Sequence, residues 1–139
     1  MGKCEIMKVN HIGYLVKNME KAKSEFIKLG WQCILEDGRD TIRLIDVCLF
    51  EKDGYVVELI SPYMEESVVS GLLKKYNNSP YHICYESQDF TQDLDYLKQN
   101  HYVQIGEPVR APIFGNRNAV FLINSKLGMI ELLETEPQI

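Results

Sequence analysis

No apolar run in this 139-residue chain approaches the length of a membrane span, so a membrane-crossing helix is not expected. A basic stripe is missing as well. Fifteen Lys and Arg against 20 Asp and Glu leave a formal net charge of −5, the wrong sign for a surface that must attract phosphates, and nucleic acid is not expected as a partner. The four cysteines, Cys4, Cys33, Cys48 and Cys84, include no CxxC pair. Without that spacing they read as reduced thiols, each a small core residue rather than a zinc ligand. The first residues, MGKCEIMKVN, carry no apolar h-region, and Ile6 stands where a myristoylation site needs Ser or Thr. Low-complexity segments are also lacking. Together these absences lead to the expectation of a cytoplasmic protein.

What the chain does have is a repeat. VNHIGYLV at Val9–Val16 returns as PYHICYES at Pro80–Ser87, with one His third in each run. Both runs alternate as strands do, which puts Val9, His11, Gly13 and Leu15 on one face and Asn10, Ile12, Tyr14 and Val16 on the other. With His11 laid on His82, Met19 falls on Phe90, Phe26 on Leu97 and Trp31 on Tyr102 at one constant offset. Met19, Ala22, Phe26 and Leu29 follow helical spacing, with Asn18 as the cap and Gly30 as the stop. Strand Trp31–Leu35, a polar turn Glu36–Asp40, strand Thr41–Phe50, a hairpin at Lys52-Asp53-Gly54 and strand Tyr55–Ile60 are expected next. Val68, Leu72 and Leu73 predict a short amphipathic helix over Ser67–Tyr76. The second half repeats the order: strand Tyr81–Ser87, helix Phe90–Gln99, a strand near Tyr102–Ile105, a PVRAPIFGNRN loop, then strands Ala119–Ile123 and Met129–Leu133 around a turn at Asn124–Lys126. Half-domains of this size are too small to be robust alone. The expectation is therefore one α+β domain over residues 1–139, with module one at 8–62, a connector helix at 65–77 and module two at 80–135.

Each half closes on a Gly-led apolar strand bearing one acid inside it, GYVVELI with Glu58 and GMIELLE with Glu131. An unpaired carboxylate in a strand buried on both faces costs several kcal/mol. One reading is that both acids face solvent from a one-sided sheet and that both histidines are ordinary core or rim residues. The coincidence weighs against it. The His-to-Glu separation is 47 residues in the first half and 49 in the second, on corresponding strands. Two imidazoles and two carboxylates make a donor set for a divalent transition metal with positions left for substrate, and the lack of a thiolate argues against a closed structural zinc site. Gly13 and Cys84, each two residues past a His, would keep that face open. His101, Lys74, Lys75, Arg110 and Arg117 read as surface residues, the four cations being the ones to watch for an anionic substrate handle.

With VNHIGYLV, VVELISP, PYHICYES and LGMIELLE in view, the chain resembles the vicinal-oxygen-chelate superfamily, which contains glyoxalase I and methylmalonyl-CoA epimerase. The resemblance runs over roughly Val9 to Glu134. It implies two βαβββ modules forming a curled mixed sheet around a central cup. It also implies one divalent metal per site, Ni, Co, Zn or Mn, held by His11, Glu58, His82 and Glu131. Glu58 matches bacterial glyoxalase I, whereas Leu15 stands where that enzyme commonly has an Arg for glutathione. The connector ELISPYMEESVVSGLLKKYNNSPYHICYE is closer to the epimerase pattern, and APIFGNRNAVFL fits neither.

By resemblance, the expected function is a metal-dependent isomerase or lyase that abstracts a proton next to a carbonyl through a metal-stabilised enediolate. Glu131 is expected to be both ligand and base, with Glu58 or Glu36 as the partner acid. The substrate would be a small thioester or hemithioacetal, with the epimerase type favoured over lactoylglutathione lyase. A non-catalytic binding protein of the same superfamily is the further alternative. A homodimer is expected, with the site inside one chain or across two.

Overall fold

The structure is a computed structural model and describes residues 7–136. Its elements are β1 (Lys8–Leu15), α1 (Met19–Lys28), β2 (Gln32–Asp40), β3 (Ile45–Lys52), β4 (Tyr55–Pro62), α2 (Val68–Tyr76), β5 (Ser79–Ser87), α3 (Phe90–Gln99), β6 (Val103–Ala111), β7 (Arg117–Asn124) and β8 (Gly128–Glu134). A single 3-10 turn, Pro112–Phe114, lies between β6 and β7. This is the α+β class and the twofold β-α-β-β-β order expected from sequence. Contacts divide the described residues into two compact units, 11–81 and 7–10 together with 82–136.

In the first unit β2 pairs antiparallel with β3, β3 antiparallel with β4, and β4 parallel with β1. The parallel pair needs a crossover, and α1 supplies part of it. Asn18 Oδ1 accepts the Lys21 N–H at 3.0 Å and caps α1, while Glu20 near its start and Lys28 near its end suit the helix dipole. Met19, Ala22 and Phe26 of α1 pack with Ile12 and Tyr14 of β1 against buried Cys48, Phe50, Val57 and Leu59. Phe26 lies edge-on to both Tyr14 and Trp31, at 5.4 and 5.6 Å between ring centroids. Helix α2 is capped by Ser67, whose hydroxyl also donates to the Arg43 carbonyl at 2.7 Å.

The second unit repeats the scheme, with β5 parallel to β8, and β8–β7 and β7–β6 antiparallel. Asp89 caps α3. Leu97 of α3, with Phe90 and Leu94 beside it, covers Val120, Leu122, Ile130 and Leu132.

Two sequence expectations are corrected. The polar run Glu36–Asp40 is not a turn. Strand β2 continues through it, bending at irregularities between Cys33 and Leu35 and between Leu35 and Gly38. The turn falls at residues 41–44 because buried Asp40 closes it, accepting the Ile42 and Arg43 N–H groups at 2.9 and 2.8 Å and the Arg43 guanidinium at 2.9 Å. The PVRAPIFGNRN segment is likewise mostly strand. β6 runs on to Ala111 past an irregularity between Ile105 and Val109, and β7 begins at Arg117. The paired bulges sit at matching places in β2 and β6, where acids and glycine break the alternation that sequence reading relies on.

The two helix ends differ in one informative way. Gly30 leaves α1 at φ +95°, the left-handed region expected of a helix stop. Its counterpart after α3 is His101, at φ +72° and exposed to solvent. A side chain there carries a Cβ penalty that glycine avoids. His101→Gly is therefore expected to raise the unfolding free energy by about 1 kcal/mol, net of the looser unfolded chain, read as a higher urea midpoint. A lower midpoint would contradict the assignment.

Candidate metal centre

In the first unit alternation sorts the sheet into two faces. Ile12, Val57 and Phe50 turn toward α1. The residues between them turn the other way, and there Gly13 pairs with Glu58 while Glu58 pairs with Leu49. His11 is two residues before Gly13 and so shares that face. His11 Nε2 and Glu58 Oε1 lie 3.0 Å apart, with both residues at most 5% exposed. The second unit builds the same pair, His82 Nε2 and Glu131 Oε1 at 3.1 Å, equally buried. Here Cys84 is the register partner of Glu131, and the Phe121 ring stands edge-on to His82 at 5.1 Å between centroids. Neither acid faces solvent, so the one-sided-sheet reading of these strands fails.

The separations are informative. Two donors each about 2.1 Å from one ion and at a right angle are about 3.0 Å apart, whereas a tetrahedral angle puts them near 3.4 Å. A protonated imidazole donating directly to a carboxylate gives a similar distance. An imidazole nitrogen and a carboxylate oxygen, both desolvated, are also a donor set that suits a borderline divalent ion. His11, Glu58, His82 and Glu131 are thus donors that could hold a metal ion.

Glu36, the other acid expected as a partner base, lies elsewhere. Its carboxylate is exposed and turned toward α1, 4.0 Å from Lys23 Nζ, so the structure does not bring it to the face that carries Glu58. The bulge between Leu35 and Gly38 interrupts the alternation at this residue. Lys23 is also held by Glu20 at 3.2 Å, and that hydrogen bond raises the ammonium pKa above its usual value. The cations singled out in the sequence have local partners. Lys74 pairs with Glu65 at 2.8 Å, Lys75 lies over the Tyr76 ring, Arg110 donates to Asn116, and Arg117 donates to the Phe114 and Glu134 carbonyls. Phe121 escaped the sequence reading. Its signal was the tight turn after Asn124, which fixes the register that sets Phe121 opposite Glu131.

The sequence profile of the Glyoxalase/Bleomycin resistance protein/Dioxygenase superfamily matches residues 8–121, a span that includes His11, Glu58 and His82 and ends before Glu131. No curated protein matches the chain. Among solved structures, a hypothetical protein from Bacillus halodurans is similar with a TM-score of 0.83 at 20% identity, over 96% of this chain and 97% of that one. Methylmalonyl-CoA epimerase from Mycobacterium tuberculosis is similar at a TM-score of 0.80 and 20% identity, over 93% and 88% of the two chains. A Streptomyces coelicolor methylmalonyl-CoA epimerase in complex with 2-nitronate-propionyl-CoA follows at 0.77 and 16%, over 94% and 98%. At these identities the likeness concerns the fold.

The thiols stand outside the donor set. Among the described residues Cys33, Cys48 and Cys84 form no disulfide, and Cys4 lies outside the described residues. Burial pushes the Cys48 thiol up to about 11 from an ordinary value of 9.0, and pushes Cys33 in the same direction. A thiol whose folded value is raised supports the fold fully below the unfolded value, and that support fades as pH climbs from about 9 toward 11. Iodoacetamide at pH 8 is therefore expected to label Cys48 at least about tenfold more slowly in native protein than in urea, read by peptide mass mapping. Equal rates would show that the thiol is not sequestered.

Proposed function

The chain belongs to the glyoxalase/bleomycin resistance protein/dioxygenase superfamily, and from that premise we propose that it is a divalent-metal-dependent isomerase that moves a proton on the carbon next to a carbonyl. The observation that carries this reading is the buried His–Glu pair present in each unit at nearly the same separation, 3.0 and 3.1 Å. In this reading the two pairs serve one ion, with His11, Glu58, His82 and Glu131 as its ligands and Ni, Co, Zn or Mn as candidates for its identity. Once bound, the ion supplies Lewis acidity to a substrate oxygen.

The chain's own residues do the rest. Glu131 accepts the proton from the carbon, the C–H electron pair passes into the carbonyl system, and the carboxylic acid returns the proton to one or the other face. Glu58 is the partner acid. The Phe121 edge against His82 holds that ring in one orientation. Burial of both carboxylates keeps bulk water away from the carbanionic species.

A thioester is the favoured substrate. The connector between the two histidines supports it, and solved relatives of the same fold include an epimerase bound to methylmalonyl-CoA. The same reading takes the protein as a cytoplasmic homodimer acting on a small molecule, and among the described residues no helix is long and apolar enough to cross a membrane.

Elemental analysis of the purified protein should find about one divalent ion per chain. His11→Ala and His82→Ala should each lose it, and full occupancy in both variants would end the proposal. With metal retained, Glu131→Gln should slow solvent-deuterium uptake into a thioester substrate by about a hundredfold or more. Tight ligand binding without any exchange would instead mark a non-catalytic binding protein.

A further inference from the structure

The face that carries Glu131 and His82 extends outward across β7 and β6 in two register rows. One row runs His82, Met129, Ile123, Val103, and the next runs Cys84, Glu131, Phe121, Ile105. Apart from the His–Glu pair, every residue in these rows is apolar. The outer positions are also open: Val103 is 62%, Ile105 45% and Ile123 42% exposed. Tyr102 and Gln104 between them belong to the other face, with Tyr102 packed under α3 and Gln104 paired with Leu122 of that core.

Exposure alone does not call for apolar residues here, because the first unit shows what the same scaffold does with these positions. Its row through Val56 runs to Glu51 and Gln32, both exposed and both polar. The next row of the first unit, Gly13, Glu58, Leu49 and Leu35, is apolar apart from its Glu, like its counterpart. The repeat has therefore kept the backbone and changed the chemistry at the outer end of one row, where Val103 and Ile123 replace Gln32 and Glu51. Three exposed branched side chains side by side have a desolvation incentive that a Gln and a Glu lack.

We propose that β6 and β7 form an apolar shelf for the acyl chain or aryl group of the substrate whose reacting carbon lies at Glu131, so that the substrate is a thioester with an apolar rather than a charged acyl end. This rests on the reading of Glu131 and His82 as the reacting end of the site. Phe121 begins the shelf directly beside Glu131. Ile105 ends it two strands out, about 10 Å away at the usual strand spacing, a span matched by a medium-length acyl chain. A second copy of the chain is the less economical occupant, since a stable protein interface uses about 20–30 residues a side and this surface offers a handful.

The test uses the metal-loaded full chain with acetyl and octanoyl thioesters of N-acetylcysteamine, reading binding by ligand-observed NMR and α-carbon deuterium exchange separately. The octanoyl ester should bind at least about tenfold more tightly. Ile123→Glu and Val103→Gln, which install the residues of the first unit, should reduce that preference about tenfold, and Ile123→Val should largely keep it. Octanoyl binding that depends on the shelf but leads to no exchange would uphold the shelf and overturn the isomerase reading. Exchange of both esters with no chain-length preference would uphold the reaction and overturn the shelf. A wild-type dimer that becomes a monomer in Ile123→Glu, with ester preference unchanged, would assign the surface to a second copy and overturn the shelf.

Discussion

A carboxylate buried beside an imidazole, once in each unit, is the constraint on which the remaining architecture turns. Neither Glu58 nor Glu131 has the water that normally carries its charge. Each sits in a strand whose other face is committed to a helix-covered core, so the acid has nowhere to turn except toward the His of the parallel neighbour. The helices are therefore part of the centre even though they contribute no donor. By burying Ile12, Val57, Tyr85 and Ile130 on one side, α1 and α3 determine which side the His and the Glu must share.

The repeat is strict in its backbone and looser in the side chains it carries. The pairing scheme, the helix caps and the irregularities of the outer strands all recur. The helix stop does not, since Gly30 is answered by His101 at a comparable positive φ. Nor does one outer row of each unit, where Gln32 and Glu51 correspond to Val103 and Ile123. Identity has been kept for the donors, and chemistry has been allowed to drift at the positions around them.

That division also explains how far the sequence could be read. His11, Glu58, His82 and Glu131 were legible because each breaks a pattern, a lone polar residue in an alternating or apolar strand, and because the break recurs. The helices were legible from spacing and, for the first, from Asn18 and Gly30, whereas the Asp89 cap of the second emerged only in the structure. The course of β2 was not. Glu36-Asp37-Gly38-Arg39 has the composition of a turn, and only the hydrogen bonds of Asp40 move the reversal four residues on. The side of the sheet that Glu36 takes was illegible for the same reason, since a bulge changes which way a side chain points without leaving a mark in hydrophobic alternation. Phe121 was missed because it belongs to no polar pattern, although the register of the β7–β8 hairpin specifies its place.

The parallel pairing of β1 with β4, and of β5 with β8, bears on the order in which the chain assembles. Strands β2 to β4 and β6 to β8 are each a meander closed by short connections, and their loop-closure entropy is small. The histidine-bearing strand reaches its parallel partner only across a helix and two strands, a longer-range pairing than any within the meanders. Chain entropy thus favours the meander first and the histidine strand last. The imidazole and the carboxylate come together only when the rest of the unit is in place, which makes their pairing a report on completed assembly.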